Sequence, residues 1–533
     1  MQNGGRRLAG FRFVALLGWI VLNLTGTWSL LDRGDVHDDS DSAYYFQRGR
    51  ELAEGRWATE SLIVSHLVKY EEVTHPSFDH WQPMVAIVSG AAGWLLGDPE
   101  LGARLALFLF GSLLLPGLVY LFIVGAGGTS AAGLFAVALY LSIASLDHFR
   151  LVLDTVSFAG VFLLAGCLCG ARAVSRLRPP ASFCVLTGLA FGFAAMTRGD
   201  AVPVSLLMCG VVSGLAPKGE RARVLGLTIL ALALTYSPLL VKNLVQFGGP
   251  MPPGMARVPS LVHFCDWYSF HQETTFRPFQ LEGWLQPRTL ALRLATVALL
   301  RSPLVLFSLA IVVISFVMRA RGNSRLLAQR ARFTSSLVLA VGCYVAFNVV
   351  GVVLAPALTL WFHRSPLPYW PILISGGVLG ADHLIRLLPD GAWRYAAVIA
   401  GLGLVSPSIA LNPVRHLYDV PNQIAPEYRA AASAVPAGAV VATNAPLPLY
   451  VYYRGGVVRL PNDGKSAVAD LIRHYDVEYL VLFPIEYDCD PQQFLYGLFT
   501  QSGPHERRLV DGISLVPLVN SERYRVYKVE TPP

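Results

Sequence analysis

The chain has 533 residues, 54% of them hydrophobic and 14% charged, with a formal net charge of +7, and its mean hydropathy is +0.49. Soluble domains carry roughly 25% charged residues, so this composition excludes an ordinary soluble protein and describes a polytopic membrane protein. The basic surplus does not call for nucleic acid, because Lys and Arg collect in the cytoplasmic loops of membrane proteins to set orientation.

A first apolar stretch, about Phe11 to Leu31, follows Arg6, Arg7 and Arg12 and is long enough to cross about 30 Å of hydrocarbon. It exceeds the roughly 7–15 apolar residues of a signal peptide, and no small-residue cleavage site follows it. It is read as an uncleaved first helix with the N-terminus inside. Further spans are expected at about 101–124, 130–147, 153–171, 181–197, 201–216, 224–245, 302–318, 333–354, 366–387 and 394–411, about eleven in all.

Charge supports the order. Arg172, Arg176 and Arg178, then Lys218, Arg221 and Arg223, then Arg319, Arg321, Arg325, Arg330 and Arg332, then Arg386 and Arg394 fall in loops that this arrangement puts inside. The short loops on the other side hold chiefly Arg150, Arg198 and Arg364. An odd number of spans then leaves the C-terminus outside.

Three segments are too long to be connectors: 32–100, 246–300 and 412–533. The first opens with the acidic cluster Asp38-Asp39-Ser40-Asp41, continues with helical periodicity from Tyr44 to Leu52, and ends in a short apolar run, Met84 to Leu96, expected to lie along the interface. The last changes composition. Val440–Thr443, Val457–Leu460 and Glu478–Leu482 read as strands, and Ser466–His474 and Gln492–Phe499 as helices. The expected fold class is therefore mainly α, a polytopic bundle over 1–411, with a small extracytoplasmic α/β domain over 412–533.

Of the seven cysteines, Cys167, Cys169, Cys184, Cys209 and Cys343 lie in apolar runs, where a thiol behaves as a small hydrophobe. Cys265 and Cys489 fall in polar segments and would pair only in an oxidising compartment. His37, His75 and His80 show no zinc-like spacing. Trp81 and Trp94 read as interface anchors, with a platform for a sugar face as the other use of such rings.

Several motifs occur in order. Asp41-Ser42-Ala43-Tyr44-Tyr45 is followed by Arg50-Glu51-Leu52-Ala53-Glu54-Gly55, then His75-Pro76, Gln82-Pro83-Met84 and Leu96-Gly97-Asp98-Pro99-Glu100-Leu101-Gly102-Ala103-Arg104-Leu105. Beyond these come Arg150-Leu151-Val152-Leu153-Asp154-Thr155, Thr197-Arg198-Gly199 and Lys242-Asn243 with Phe247-Gly248-Gly249-Pro250. Together, over about 1–400, they resemble the polyprenyl-phosphate-sugar-dependent glycosyltransferases of the GT-C fold, in the family 39 group of protein mannosyltransferases and aminoarabinose transferases. The chain departs from that pattern at Ser42, where the family often has glutamate, and at Arg198, which replaces lysine. Asp38 and Asp39 are rival carboxylates beside Asp41.

The resemblance implies a catalytic pair, Asp41 and Asp154, and substrate contacts from Tyr44, His75, Gln82, Arg150, Arg198, His363 and Arg364. Transfer of a sugar to a hydroxyl needs a base while the phosphate leaves as an anion, and Asp41 is placed as that base. Asp154, at the edge of an apolar run, costs on the order of 2.5–3.5 kcal/mol if drawn to the centre of a membrane helix and is a functional candidate for that reason. It would orient the acceptor or help bind a divalent metal cation; the plain alternative is a pair with Arg150 on one helical face. Arg198 and His363-Arg364 are placed to meet a lipid phosphate, or else are snorkelling structural residues.

The expected function is an inverting glycosyltransferase of the cytoplasmic membrane, acting at its outer face. Its partners would be a polyprenyl-phosphate sugar donor, a glycan, lipid or protein acceptor, and membrane lipids. A secondary transporter and a non-catalytic assembly protein are the alternatives. The paired internal repeats and deep ionisable groups of transporters are not evident in the sequence.

Overall fold

A computed structural model describes residues 18, 20–32, 41–143, 149–257, 267–271, 327–354, 367–387, 426–484, 494–500 and 507–530. The expected spans at 302–318 and 394–411 lie outside these residues, as do His37, Asp38, Asp39, Cys265, Cys489, His363 and Arg364. The described chain is mainly helical. Among the described residues four helices are long and apolar enough to cross a membrane: Pro99–Gly125, Thr155–Val174, Lys218–Phe247 and Arg332–Val350. Met84–Leu96, Ser130–Ser142, Ala181–Thr197 and Ala201–Leu215 are apolar but shorter.

Local chemistry explains the helix boundaries. Asp98 caps the Pro99 helix, its Oδ1 accepting from the amides of Glu100 at 2.9 Å and Leu101 at 3.1 Å, and Pro99 occupies a first-turn position where its missing N–H costs nothing. Further along, Pro116 would clash with the carbonyl four residues back in a regular α-helix. The helix widens to a π stretch over Phe108–Leu114 just before it. The hydroxyl of Tyr140 donates to the carbonyl of Gly111 in that stretch at 2.9 Å.

The Ala181–Thr197 and Arg221–Phe247 helices pack backbone to backbone through a G-x-x-x-G face. A Cβ on Gly188 would overlap the carbonyl of Thr228, and one on Gly192 would lie 2.5 Å from the Cβ of Thr235. Such small-residue faces supply the close van der Waals contact that holds helices together in lipid.

The helices run alternately between two chemically different ends. At one end, Arg172 closes the Thr155–Val174 helix and Lys218 and Arg221 open the Arg221–Phe247 helix. Arg386 donates there to the carbonyl of Gly127 at 3.1 Å. At the other end lie Asp154, Arg198 and Asp200, where the same helices begin or finish.

The C-terminal residues form a seven-stranded sheet of order β2-β5-β4-β6-β9-β8-β7. Its strands are β2 (Leu62–Ile63), β4 (Val440–Thr443), β5 (Gly456–Arg459), β6 (Tyr479–Leu482), β7 (Arg508–Val510), β8 (Ile513–Asn520) and β9 (Arg525–Glu530). β1 (Thr59–Glu60) and β3 (His75–Pro76) form a separate antiparallel pair. The β2-β5-β4-β6 half is parallel, and β4–β6 are almost wholly buried, as parallel strands covered on both faces must be. The Pro446–Tyr452 and Lys465–His474 helices make the crossovers. β2 is the departure from a segment that stands apart: it comes from the first polar segment and pairs Leu62 with Val457.

One of the hydrophobic clusters therefore runs from the helices into the sheet, between a cluster inside the bundle and another inside the sheet domain. Tyr44, Tyr45, Val85, Leu153 and Phe158 pack in one cluster with Tyr428, Val441, Leu449 and Val457. The Asp41–Ala53 helix sits between the two parts and crosses Met84–Leu96 where a Cβ on Gly49 would come 2.5 Å from Ser89 Oγ.

The glycine seam is testable. Gly188→Val should cost about 1–3 kcal/mol by overpacking and lower the thermal unfolding midpoint in detergent. Gly226→Ala, on the partner Arg221–Phe247 helix with open space around it, should leave the midpoint unchanged or raise it. An unaltered midpoint for Gly188→Val would show that the two helices do not touch there.

Candidate active site

Asp41 opens the Asp41–Ala53 helix, where a carboxylate is favoured by the exposed amides and the helix dipole. It is partly exposed, whereas Tyr45, one turn on, is buried. Burial pushes the Tyr45 phenol up, and the negative charges of Asp41, Asp154 and Asp200 push it further, with Arg198 opposing them. Three carboxylates and one guanidinium, from three separate stretches of chain, thus lie within electrostatic reach of one phenol.

Asp154 caps the Thr155–Val174 helix. Its Oδ1 accepts from the Val156 amide at 3.1 Å and from the Thr155 hydroxyl at 3.0 Å. Arg198 follows the last residue of the Ala181–Thr197 helix. It donates through Nε to Asp200 Oδ1 at 2.9 Å, through Nη2 to Asp200 Oδ2 at 3.3 Å, and through Nη1 to Thr155 Oγ1 at 3.0 Å. Thr155 therefore links the Asp154 cap to the Arg198–Asp200 fork in one continuous chain of hydrogen bonds. This two-point Arg–carboxylate geometry is the strong form of the interaction.

Gln82 approaches from the far side of the same turn. Its Nε2 donates to Met255 Sδ at 3.4 Å, and a Cβ on Gly199 would collide with the Met255 methyl and lie 3.8 Å from Gln82 Nε2. A side chain at that position would have to displace the end of the Met255 side chain. Tyr369, fully buried and stacked on Phe347 at 4.3 Å, adds a wall from the Leu367–Leu387 region. Its hydroxyl has no hydrogen-bond partner among the described residues.

The structure thus brings together Asp41, Asp154, Arg198 and, through Gly199, Gln82. Asp200 is the member that the sequence reading passed over. The available signal was an acid two residues after an arginine in a short loop between apolar helices.

Other expected site residues are engaged elsewhere. Arg150 is buried and donates to the Leu141 carbonyl at 3.2 Å. The i, i+4 pairing geometry anticipated for Arg150 and Asp154 does not exist, because the chain is not helical through 152–154. Tyr44 is fully buried; its hydroxyl donates to Glu60 Oε2 at 2.7 Å and accepts from the Phe78 amide at 3.2 Å. The His75 ring stacks on Tyr70 at 4.1 Å, with its nitrogens 3.0 Å from the Pro76 carbonyl and 3.1 Å from the Leu62 carbonyl. Of the two tryptophans, Trp94 is exposed and Trp81 lies against Tyr44 at 4.3 Å.

Beneath the site is an ionic anchor. Arg48, fully buried, pairs with Glu51 and lies 3.6 Å from Glu60 Oε2. Its Nη1 donates also to the carbonyl of Thr59 at 3.0 Å, and its Nη2 to that of Trp57 at 2.9 Å. Burial works against its charge, but the carboxylates of Glu60 and Glu51 outweigh it and hold its pKa above the usual value. Glu51 also accepts from Gln47 at 2.8 Å and from the Tyr450 hydroxyl at 3.2 Å. The helix carrying Asp41 is so tied to both β1 and the sheet.

A second buried pair fixes the segment after the Arg221–Phe247 helix. Asp79 Oδ2 lies 3.1 Å from His80 Nδ1, His80 Nε2 meets Ser65 Oγ at 2.5 Å, and Asp79 Oδ1 accepts from the Gly254 amide at 2.8 Å. The order of contacts is that of a Ser-His-Asp triad. Ser65 is buried, however, and Gly254 packs against Asp79 and the His80 ring, so the group serves as a clamp.

No protein-family model matches this chain, and no curated protein does. Solved structures do match. The apo oligosaccharyltransferase of Archaeoglobus fulgidus aligns with a TM-score of 0.56 at 12% identity, covering 88% of this chain and 69% of that one. ArnT from Cupriavidus metallidurans, bound to undecaprenyl phosphate, also gives 0.56, at 14% identity over 96% of this chain and 97% of that one. Its apo state gives 0.55 at 16% identity, covering 96% and 98%. The architecture shared with these proteins is the GT-C fold, which is the fold that the ordered motifs resemble.

The clamp carries a pH dependence. Burial alone would raise the Asp79 carboxyl, but the charge and hydrogen bond of His80 hold it down at about 2. Burial would lower His80, and Asp79 raises it above its ordinary value. The Asp79 contribution is in place above the ordinary carboxylate range, and the His80 contribution is complete below about pH 6.5 and lost as pH rises through the raised value. Protection of the Gly254 amide from hydrogen exchange, corrected for intrinsic rate, should therefore fall between about pH 5.5 and about pH 9.5. The fall should vanish in His80→Gln; equal protection at both values in the unsubstituted chain would refute the clamp.

Proposed function

We propose that this chain is an inverting glycosyltransferase that moves a sugar from a polyprenyl-phosphate donor to an acceptor hydroxyl at the outer face of the cytoplasmic membrane. The observation that carries this reading is the hydrogen-bonded chain from Asp154 through Thr155 to Arg198, set at the end of a membrane-length helix opposite its basic end, with Asp41, Asp154 and Arg198 all acting on the Tyr45 phenol. The likeness to ArnT bound to undecaprenyl phosphate supports the donor class. The separation of charge supports an inside N-terminus, about eleven spans and an outer sheet-bearing C-terminal domain.

In this mechanism Asp41, partly exposed at a helix start, takes the acceptor proton. The acceptor oxygen forms a bond to the anomeric carbon as the bond to the phosphate oxygen breaks, and the lipid phosphate leaves with the electron pair. The single displacement inverts the centre. Asp154, engaged in capping its helix, orients the acceptor. Arg198 faces the leaving phosphate with a fork already aligned by Asp200, and the phosphate competes with Asp200 for those N–H groups.

Asp41 and Asp154 are the residues that would offer oxygen donors to a divalent cation. Among the described residues no three His, Cys, Asp or Glu side chains gather to hold one ion. Two carboxylates suit a hydrated magnesium-type ion better than a closed zinc site. Such an ion would add positive charge beside the phosphate.

Asp41→Asn should lower transfer from purified polyprenyl-phosphate sugars by about 10²–10⁴-fold while the protein stays folded. Arg198→Lys, which loses the two-point fork, should weaken use of the donor more than that of the acceptor. Chelation followed by magnesium return should lower and then restore the rate if the cation takes part. Absence of lipid-dependent transfer by the unsubstituted protein, across a panel of such donors, would sink the reading and favour a transporter or an assembly protein.

A further inference from the structure

A cavity of about 500 Å³ lies away from the Asp41 cluster, between the first polar segment and the sheet. Its walls come from the Asp41–Ala53 helix, the chain around β1–β3, and residues 438–476. We propose that it binds a non-anionic sugar ring of the acceptor glycan; the word acceptor rests on the reading above, while the binding of the sugar does not.

Three observations point to that ligand. The first is an orphaned acceptor. Gln47 lines the cavity and is 3% exposed; its Nε2 donates to Glu51 at 2.8 Å, and its Oε1 has no hydrogen-bond partner among the described residues. A buried amide oxygen left so is unfavourable unless a donor from outside supplies the bond, and a sugar hydroxyl is such a donor.

The second is a set of fixed aromatic walls. The Tyr453 hydroxyl shares its one hydrogen between the carbonyls of Pro436 at 2.7 Å and Ala439 at 2.8 Å, and the Tyr450 hydroxyl donates to Glu51 at 3.2 Å. Both rings line the cavity and are held before any ligand arrives, which lowers the entropy lost on binding.

The third is charge. Glu51, Glu71, Glu72 and Asp476 outnumber Arg56 and Arg454 in the lining. An acid surplus disfavours a phosphate or a carboxylate and leaves a neutral or amine-bearing polyol as the matching ligand. The volume lies in the range of small-ligand sites, roughly 300–1,000 Å³.

Position relates the cavity to the chemistry. Gln47 and Glu51 stand on the same helix as Asp41, further toward its C-terminus, so at 1.5 Å per residue they are about 9–15 Å from it along the axis. A short glycan reaching from the cavity would present its end near Asp41.

The test is saturation-transfer NMR on the full detergent-solubilised chain with maltose, cellobiose and chitobiose, and with glucose 6-phosphate as the anionic counterpart. The neutral disaccharides should show transfer, weakened about fivefold by Gln47→Leu, and glucose 6-phosphate should show less. Thr74→Trp, at the exposed rim, should block the cavity without disturbing the buried network and give the same loss. Asp41→Asn should keep the sugar signal even if it abolishes transfer, so failure of the catalytic reading and failure of this one are separable. No saturation transfer to any disaccharide, a signal in either cavity variant equal to that of the unsubstituted chain, or a stronger signal for the phosphorylated sugar would overturn the proposal.

Discussion

The buried guanidinium of Arg48 is the interaction on which the arrangement depends. It is charged, wholly removed from solvent, and matched by Glu51 and Glu60 and by the carbonyls of Trp57 and Thr59. A buried ion pair is a weak source of net stability, but taking away one partner leaves an uncompensated charge at a cost of about 3–5 kcal/mol. Its contribution is specificity of placement. The helix that begins at Asp41 cannot slide or rotate without stranding these charges, so the positions of Asp41 and Tyr45 relative to Asp154 and Arg198 are inherited from a network several residues away.

The polar site itself is economical. Thr155 joins two acid–base elements because its hydroxyl donates to Asp154 and accepts from Arg198. Asp200 fills the guanidinium fork, which keeps a lone cation from facing an apolar wall formed by Tyr369 and Phe347.

Much of the fold was legible because it rests on short-range pattern. The apolar runs at 101–124, 153–171, 224–245 and 333–354 coincide with long helices, and Val440–Thr443, Val457–Leu460 and Glu478–Leu482 coincide with β4, β5 and β6. What was not legible depends on contacts distant in sequence. Nothing in Leu62-Ile63 marks it as an edge strand for β5, since two residues carry no periodicity. The resemblance gives Tyr44 and His75 contacts to substrate, but Glu60, Phe78, Pro76 and Leu62 absorb their polar atoms. Asp200 became visible only through the fork geometry of Arg198. The expected Arg150–Asp154 pair failed because helical spacing was extended across a stretch where the backbone is extended.

The sheet has an implication for biosynthesis. Arg50 donates to the carbonyl of Val451, 401 positions later, and β2 finds its neighbour only when β5 has been made. Pairings so far apart are slow to form because a long loop must close before any contact rewards it. The ribosome therefore delivers the early region long before its partners, and the bundle must be threaded into the bilayer while an unpaired strand edge waits for the last fifth of the polypeptide. A chain released early would keep that edge open to foreign strands, so maturation of this protein is gated by completion of translation.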